Sequence, residues 1–158
     1  MTDDILISTC DDKHFYVPRQ MIRHCCTLQN YIDMCDGVVT EAIPVPNVIY
    51  EIFEKCMEFV GRHSHEEPPT VEQIRVNTFK RIEQYDVEWF DAMSEEVFHQ
   101  VFKASSYLHI KLLTDAACKY IAMNAEGKST EELRDMLGIA NDFTKKELKD
   151  LKRENVWD

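Results

Sequence analysis

The sequence is poor in glycine, in proline and in long apolar runs. Only 4 of its 158 residues are glycine and 5 are proline, which leaves little material for a sandwich of many strands or for a glycine-rich phosphate loop. No apolar run approaches the roughly 18–20 residues that a membrane helix needs. These shortages favour one helix-rich globular domain, since the chain is long enough to bury a hydrophobic core.

Positive charge is also scarce, with 18 Lys+Arg against 29 Asp+Glu and a net charge of -11. Phosphate binding requires clustered basic side chains, so neither nucleic acid nor an anionic membrane is expected as a partner. Most of the acidity lies before residue 126, because residues 126–158 hold 9 acidic and 7 basic side chains. The acidic start at residues 1–4 is unlike a signal peptide. We therefore expect a protein of the cytoplasm and nucleus.

The cysteines and histidines do not have the spacing of a metal site. The six cysteines contain no CxxC pair, and we expect reduced, mostly buried thiols: Cys10, Cys25, Cys26, Cys35, Cys56 and Cys118. A zinc site built on His63 and His65 with Glu66, or on the His24-Cys25-Cys26 run, would need a second ligand pair elsewhere. We therefore expect no metal, no cofactor and no catalytic residue, with His63 and His65 exposed in a loop.

The first part of the chain has the pattern of a small sheet with helices. Residues 4–9 and 13–17 are two β-branched runs that predict a hairpin. A short helix is expected at 18–24, and a second one is expected to be capped by Thr27 and stopped by Gly37. The two prolines of residues 43–46 restrict that segment to an edge strand.

The strongest helical pattern follows Asn47, which is a good N-cap residue. Its apolar residues recur at helical spacing up to Gly61, where the helix is expected to end: Ile49, Ile52, Phe53, Cys56, Met57 and Val60. Residues 62–70 predict a loop. For residues 71–84 the pattern leaves helix and disorder open.

Consecutive helices are predicted for the rest of the chain. A short one lies around Trp89, a longer one is capped by Ser94, and a further one covers about 110–123. Two Ser/Thr-x-x-Glu capping boxes precede short helices at about 130–137 and 144–154. Strands followed by helices make the fold class α+β.

The last two predicted helices carry few apolar residues, and helices this short are marginal alone. They must therefore pack on the preceding helix or on a partner. Trp157 lies next to the end of the chain, where a large aromatic side chain gains little from packing within its own domain. A partner for Trp157 and a fold-back onto the domain remain open alternatives.

Three segments resemble the family of S-phase kinase-associated protein one, the adaptor of SCF ubiquitin ligases. They are residues 44–48 at the entry of a helix, residues 105–111 (SSYLHIK), which are similar to that family's Ala-Asn-Tyr-Leu-Asp-Ile-Lys, and residues 115–157. The third carries the most specific matches: Asp115, Cys118, Lys119, Gly127, Lys128, Ser129, Glu131, Glu132, Arg134, Asn141, Asp142, Phe143, Thr144, Glu154, Asn155 and Trp157. The likeness weakens between about residues 71 and 90.

The resemblance implies a BTB/POZ-type domain at 1–124 and a two-helix extension at 125–158, whose groove includes the helix at about 110–123. It implies F-box proteins and a cullin scaffold as partners of a non-catalytic adaptor in ubiquitin-dependent protein degradation. The implied cullin contacts are Ser106 and Tyr107. The implied F-box contacts lie on the extension and on the preceding helix: Cys118, Ile121, Leu133, Leu137, Ile139, Phe143 and Trp157.

The chain departs from the family's usual residues at several of these positions. Ser106 replaces an Asn, which removes an amide with donors and an acceptor and predicts a weakened or retuned cullin contact. Leu112 replaces a Gly, Thr114 a Leu and Leu137 a Phe, so the expected F-box groove has an altered shape. We interpret the chain as a divergent paralogue with its own F-box preferences.

The alternative is another BTB-type adaptor without F-box binding, similar to elongin C. Such chains stop near the helix that ends here at about residue 123, whereas this sequence continues for about 35 residues with two capped helices. A self-associating BTB transcription factor would need a DNA-binding module that these 158 residues do not contain. Weak homodimerisation of the free protein stays open.

Overall fold

The computed structural model describes residues 4–65, 67–77 and 80–154. Within these residues there are three strands in one sheet and nine helices, which confirms the α+β class. The chain divides into two compact units, Met1–Ala122 and Met123–Asp158. None of the helices in the described residues is long and apolar enough to cross a membrane.

The strands are β1 (Asp4–Thr9), β2 (His14–Pro18) and β3 (Ile43–Val45). Five helices precede the long pair in the middle of the chain: α1 (Arg19–Ile22), α2 (Cys26–Met34), α3 (Tyr50–Arg62), α4 (Val71–Asn77) and α5 (Gln84–Asp91). The long pair and the tail follow: α6 (Glu95–Leu108), α7 (Lys111–Ala125), α8 (Thr130–Leu137) and α9 (Lys145–Glu154). Helix α4 settles the open alternative for residues 71–77 in favour of a helix.

The sheet has the order β2-β1-β3, with β1 antiparallel to β2 and parallel to β3. Ile7 pairs with Phe15 on one side and with Ile43 on the other. Strand β3 lies at the edge, as its prolines predicted, and Pro44 is exposed between the buried Ile43 and Val45. An edge position suits Pro44 because proline has no N–H to donate to a further strand.

The prediction that Asn47 caps the long helix is wrong, because α3 begins three residues later, at Tyr50. The Asp11 carboxylate, in the turn of the hairpin, accepts a hydrogen bond from the Tyr50 N–H at 2.9 Å. It also accepts one from the Thr9 hydroxyl at 2.7 Å, which is the main cause that lowers the pKa of Asp11 to about 2. A distant side chain therefore serves the open N-terminus of α3, where a local cap was expected.

Two further predicted helix boundaries are wrong. Thr27 does not cap α2, which begins at Cys26 and has Cys25 as its N-cap residue. Gly61 lies inside α3, and the helix ends one residue later, at Arg62. Gly61 does not have a positive φ, unlike the glycine at residue 37, so nothing in its backbone stops the helix.

The core of the first unit is built around Phe59 and Phe90. The Phe90 ring lies 5.4 Å from that of Phe98 and 5.0 Å from that of Tyr120, and the Phe59 ring lies 5.2 Å from that of Trp89. These contacts join α3, α5, α6 and α7. Tilted and edge-on aromatic pairs add to the free energy of area burial, so this cluster holds the four helices together.

His63 is buried, which contradicts its predicted exposure in a loop. Its Nε2 lies 3.1 Å from the Oδ1 of Asp86, also buried, and its ring packs 4.6 Å from Phe59. Burial of a polar pair requires such a partner. The described residues contain no group of three or more His, Cys, Asp or Glu side chains that could hold a metal ion.

The expectation of mostly buried thiols is also wrong. All six cysteines are free, and among them only Cys25 and Cys56 are buried. Burial raises the pKa of both thiols, to about 12 for Cys56. These two side chains are therefore unreactive core residues at neutral pH.

Candidate functional site

The implied F-box contacts on α7 lie at the edge of its packed side. Leu113, Ala116 and Ala117 of this helix are buried. Ile121 is half-buried against the core and Cys118 is exposed. Burial and then the negative charge of Asp115 raise the pKa of the Cys118 thiol, so it is neutral at physiological pH.

The second unit has no buried residue within its described part, residues 123–154. Leu133 is half-buried, whereas Leu137, Ile139 and Phe143 are 50%, 56% and 45% exposed. Trp157 lies outside the described residues. Short helices gain most of their stability by burying an apolar face. Met123 and Leu151 of this unit are exposed as well. A unit that exposes five large apolar side chains and has no buried residue in its described part is suited to bind a partner.

The connection between α8 and α9 places these apolar residues. Gly138 has a φ of 64° and ends α8, and the Ile139 N–H donates to the Arg134 carbonyl at 2.9 Å. The Arg134 guanidinium lies 5.7 Å from the centre of the Phe143 ring, a cation–π arrangement. The left-handed turn at Gly138 therefore sets the direction in which Ile139 leaves the helix.

Both predicted capping boxes are confirmed. The Ser129 N–H donates to the Glu132 carboxylate at 2.7 Å, and the Thr144 N–H donates to the Glu147 carboxylate at 2.8 Å. The backbone bond from Ser129, with its hydroxyl second, lowers the pKa of Glu132. The Thr144 hydroxyl and then its N–H lower the pKa of Glu147. Each carboxylate thus satisfies a backbone donor at the start of its helix.

The implied cullin contacts lie at the end of α6. Ser106 is exposed and Tyr107 is half-buried against the core. Tyr107 also lines a cavity of about 320 Å³ together with Ile49, Ile52 and Lys103, which connects this position to the start of α3. Sequence reasoning named Tyr107 only through the resemblance and did not find its cavity neighbours, because α3 and α6 are far apart in the chain.

Thr27 holds the end of α6 in place. Its hydroxyl donates to the Tyr107 carbonyl at 2.9 Å, and its oxygen lies 3.1 Å from the Nδ1 of His109. His109 adopts the left-handed conformation that ends the helix, with a φ of 52°. The last carbonyls of a helix have no partner within it, so Thr27 satisfies one of them from α2.

Two family models match the chain. The Skp1 family tetramerisation domain covers residues 3–65, and the Skp1 family dimerisation domain covers residues 111–158. The chain is 36% identical over 162 residues to a Skp1-related protein of Caenorhabditis elegans, with 98% of this chain and 90% of that protein covered. It is 32% identical over 159 residues to the E3 ubiquitin ligase complex SCF subunit sconC of Arthroderma otae, with 99% and 94% covered.

The chain belongs to the Skp1 family. A further relative is the suppressor of kinetochore protein 1 of Schizosaccharomyces pombe, 30% identical over 156 residues, with 97% of this chain and 96% of that protein covered. The likeness therefore spans the POZ part and the tail of this Skp1-family chain alike.

The capping boxes of this Skp1-family protein predict a pH response of the tail. A lowered carboxyl pKa contributes stability above the ordinary glutamate value of about 4.3, and that contribution is lost as the pH falls through the lowered value. The amide proton shifts of Ser129 and Thr144, followed by NMR, should titrate with midpoints below about 4.3.

Glu132→Gln should abolish the titration at Ser129 and leave that at Thr144 unchanged, so each box is the control for the other. A midpoint at the ordinary value for both amides in the unchanged chain would contradict the assigned hydrogen bonds.

The Thr27 hydrogen bond predicts a stability difference between two similar substitutions. Thr27→Val keeps the shape and removes the hydroxyl, leaving the Tyr107 carbonyl without that donor, and should lower the free energy of unfolding by about 1 kcal/mol in chemical denaturation. Thr27→Ser keeps the hydroxyl and should lose less. Equal losses for the two variants would show that the hydroxyl does not hold α6.

Proposed function

We propose that this protein is the non-catalytic adaptor subunit of an SCF-type ubiquitin ligase, which joins an F-box substrate receptor to a cullin scaffold for protein degradation. The observation that carries the proposal is the second unit, which exposes Leu137, Ile139 and Phe143 and has no buried residue in its described part. A relative that the chain covers almost fully is named as an SCF subunit. An adaptor needs one surface for each partner, and we propose one on each unit.

The first surface would bind the F-box with aliphatic and aromatic side chains: Cys118, Ile121, Leu133, Leu137, Ile139, Phe143 and Trp157. Partner helices that dock in grooves use apolar anchors ringed by polar groups. Leu137 in place of an aromatic residue would leave space that the receptor fills with a larger side chain. Receptor choice would then follow shape on this surface.

The second surface would bind the cullin at Ser106 and Tyr107. Tyr107 combines a half-buried ring with a neighbouring cavity, the kind of place where aromatic anchors concentrate binding energy. The first 125 residues carry 20 acidic against 11 basic side chains. This excess would steer a basic scaffold surface toward the POZ part and speed encounter.

We also propose that the protein acts in the cytoplasm and nucleus and that it needs no cofactor. The elongin-like alternative is not favoured, because the match to the Skp1 family includes residues 111–158, which hold the tail that such adaptors lack.

The F-box surface can be tested by placing a lysine at one exposed apolar residue of the tail, with the same substitution on the first unit as the control. Ile139→Lys should weaken the one-to-one complex with an F-box segment at least about tenfold in calorimetry, because a charge would be desolvated in the interface. Val76→Lys, at an α4 position that is 73% exposed, makes the same charge change and should bind like the unchanged chain. Equal affinity of both variants would overturn the assignment.

The cullin surface predicts a selective loss. Tyr107→Lys should abolish binding to the N-terminal region of a cullin and leave F-box binding intact, since only one interface would bury the charge. Tyr16→Lys, on β2 at a residue that is 66% exposed, is the matched control. Loss of both partners in Tyr107→Lys would indicate misfolding, and retention of both would remove Tyr107 from the cullin surface.

A further inference from the structure

Helix α9 separates its side chains into three sides. With 3.6 residues per turn, its five basic residues fall within an arc of roughly 120°: Lys145, Lys146, Lys149, Lys152 and Arg153. We call these five residues the basic arc. The three carboxylates of the helix form the second side and Leu148 and Leu151 form the third, and each of these two sides adjoins one edge of the arc. Residues 126–158 hold nearly equal numbers of acidic and basic side chains, so their net charge does not reveal this separation.

The basic arc has no partner within the part of the chain that the structure describes. All five side chains are exposed, and none of them makes an ion pair or a hydrogen bond with a described carboxylate. Of the three carboxylates on the helix, that of Glu147 accepts hydrogen bonds from the hydroxyl and the N–H of Thr144. Five cations on a ten-residue helix are therefore left to the solvent in a protein of net charge -11.

This arrangement places like charges next to one another on the helix surface. Lys149 has like charges at i−4, i−3, i+3 and i+4, where side chains meet on a helix surface and repel one another. Lys145 and Lys146 lie in the first turn, where the helix dipole disfavours positive charge, whereas Lys152 and Arg153 lie in the last turn, where it favours positive charge. Departures from local stability rules are expected at functional sites, so the crowding of cations around Lys149 makes this side of α9 a candidate binding surface.

We propose that the basic arc of α9 binds an acidic segment of the F-box-bearing partner and so selects among receptors by charge. The inference rests on the proposed function and adds a charge criterion to the shape criterion of the apolar residues. A negatively charged segment would relieve the repulsion around Lys149 and gain several ion pairs at once.

A protein segment fits the arc better than a nucleic acid or a membrane does. The chain as a whole carries a net charge of -11, and a phosphate polymer would be repelled by acidic side chains beyond the arc. Leu148 and Leu151 adjoin the arc, and Leu151 is exposed. A segment that presents carboxylates beside an apolar residue would use both sides, whereas a phosphate chain would use only the charge.

The test uses the full chain and two F-box segments that differ only in their flanks, four glutamates at each end in one and four glutamines in the other. At low salt the unchanged chain should bind the glutamate probe about tenfold more tightly, because several exposed ion pairs act together. The preference should shrink on adding salt, which screens exposed charges. Calorimetry measures both affinities.

The triple variant Lys145→Gln, Lys149→Gln, Lys152→Gln should bind both probes equally and keep or raise its melting temperature, since it relieves repulsion. The control triple Lys55→Gln, Arg75→Gln, Lys80→Gln makes the same charge change on the first unit and should keep the preference.

An unchanged chain that binds both probes equally, or an α9 triple variant that keeps the preference, would overturn the inference while leaving the proposed function standing. No binding of either probe would instead refute the proposed function. A further outcome is that the unchanged chain binds both probes equally and self-associates, while the α9 triple variant stays monomeric. The arc would then bind a second copy of the chain and not a receptor. Preferential binding of an RNA oligonucleotide or of anionic vesicles would replace the acidic segment with those ligands.

Discussion

The burial of Phe59 and Phe90 with their aromatic neighbours is the interaction on which the first unit depends. Phe90 contacts Phe98 of α6 and Tyr120 of α7, and Phe59 contacts Trp89 of α5. The cluster fixes the position of α6, and the last turn of α6 carries Ser106 and Tyr107. It also fixes which side of α7 is packed, and therefore leaves Cys118 exposed and Ile121 at the edge. Both proposed surfaces thus begin at helices held by the same rings.

The second unit follows a different principle. Helices α8 and α9 each begin with a hydrogen bond between residues three positions apart. Ser129 bonds to Glu132, and Thr144 bonds to Glu147. Local caps define where a helix begins, but they supply little of the free energy that burial provides. The unit therefore keeps defined helices while its apolar side chains remain exposed. Exposed apolar side chains on such helices are suited to bind a partner.

The two units also differ in how charge is used. In the first unit, charged groups such as Asp11 and Asp86 make specific contacts that join distant segments. In α9, the cations of the basic arc make no such contact within the described residues. The carboxylates of Glu132 and Glu147 in the second unit also make structural contacts, whereas the cations of the basic arc are available for a partner. An adaptor that must discriminate among related receptors gains from such a surface, because shape alone distinguishes similar apolar anchors weakly.

The sequence alone determined the features that depend on neighbouring residues. The hairpin, the edge strand with Pro44, the Ser94 cap and both capping boxes follow from patterns a few residues long, and the α+β class follows from their order. The site residues came from resemblance, since exposed apolar side chains carry no pattern of their own. Only the tertiary structure decided the features that depend on contacts between residues far apart in the sequence. Thr27 bonds to a residue 80 positions away, Asp11 to one 39 away and His63 to one 23 away. Local propensity favoured Thr27 and Asn47 as caps and an exposed His63. In the folded chain, a buried or unsatisfied polar group forms its hydrogen bond with whichever partner the packing places close to it.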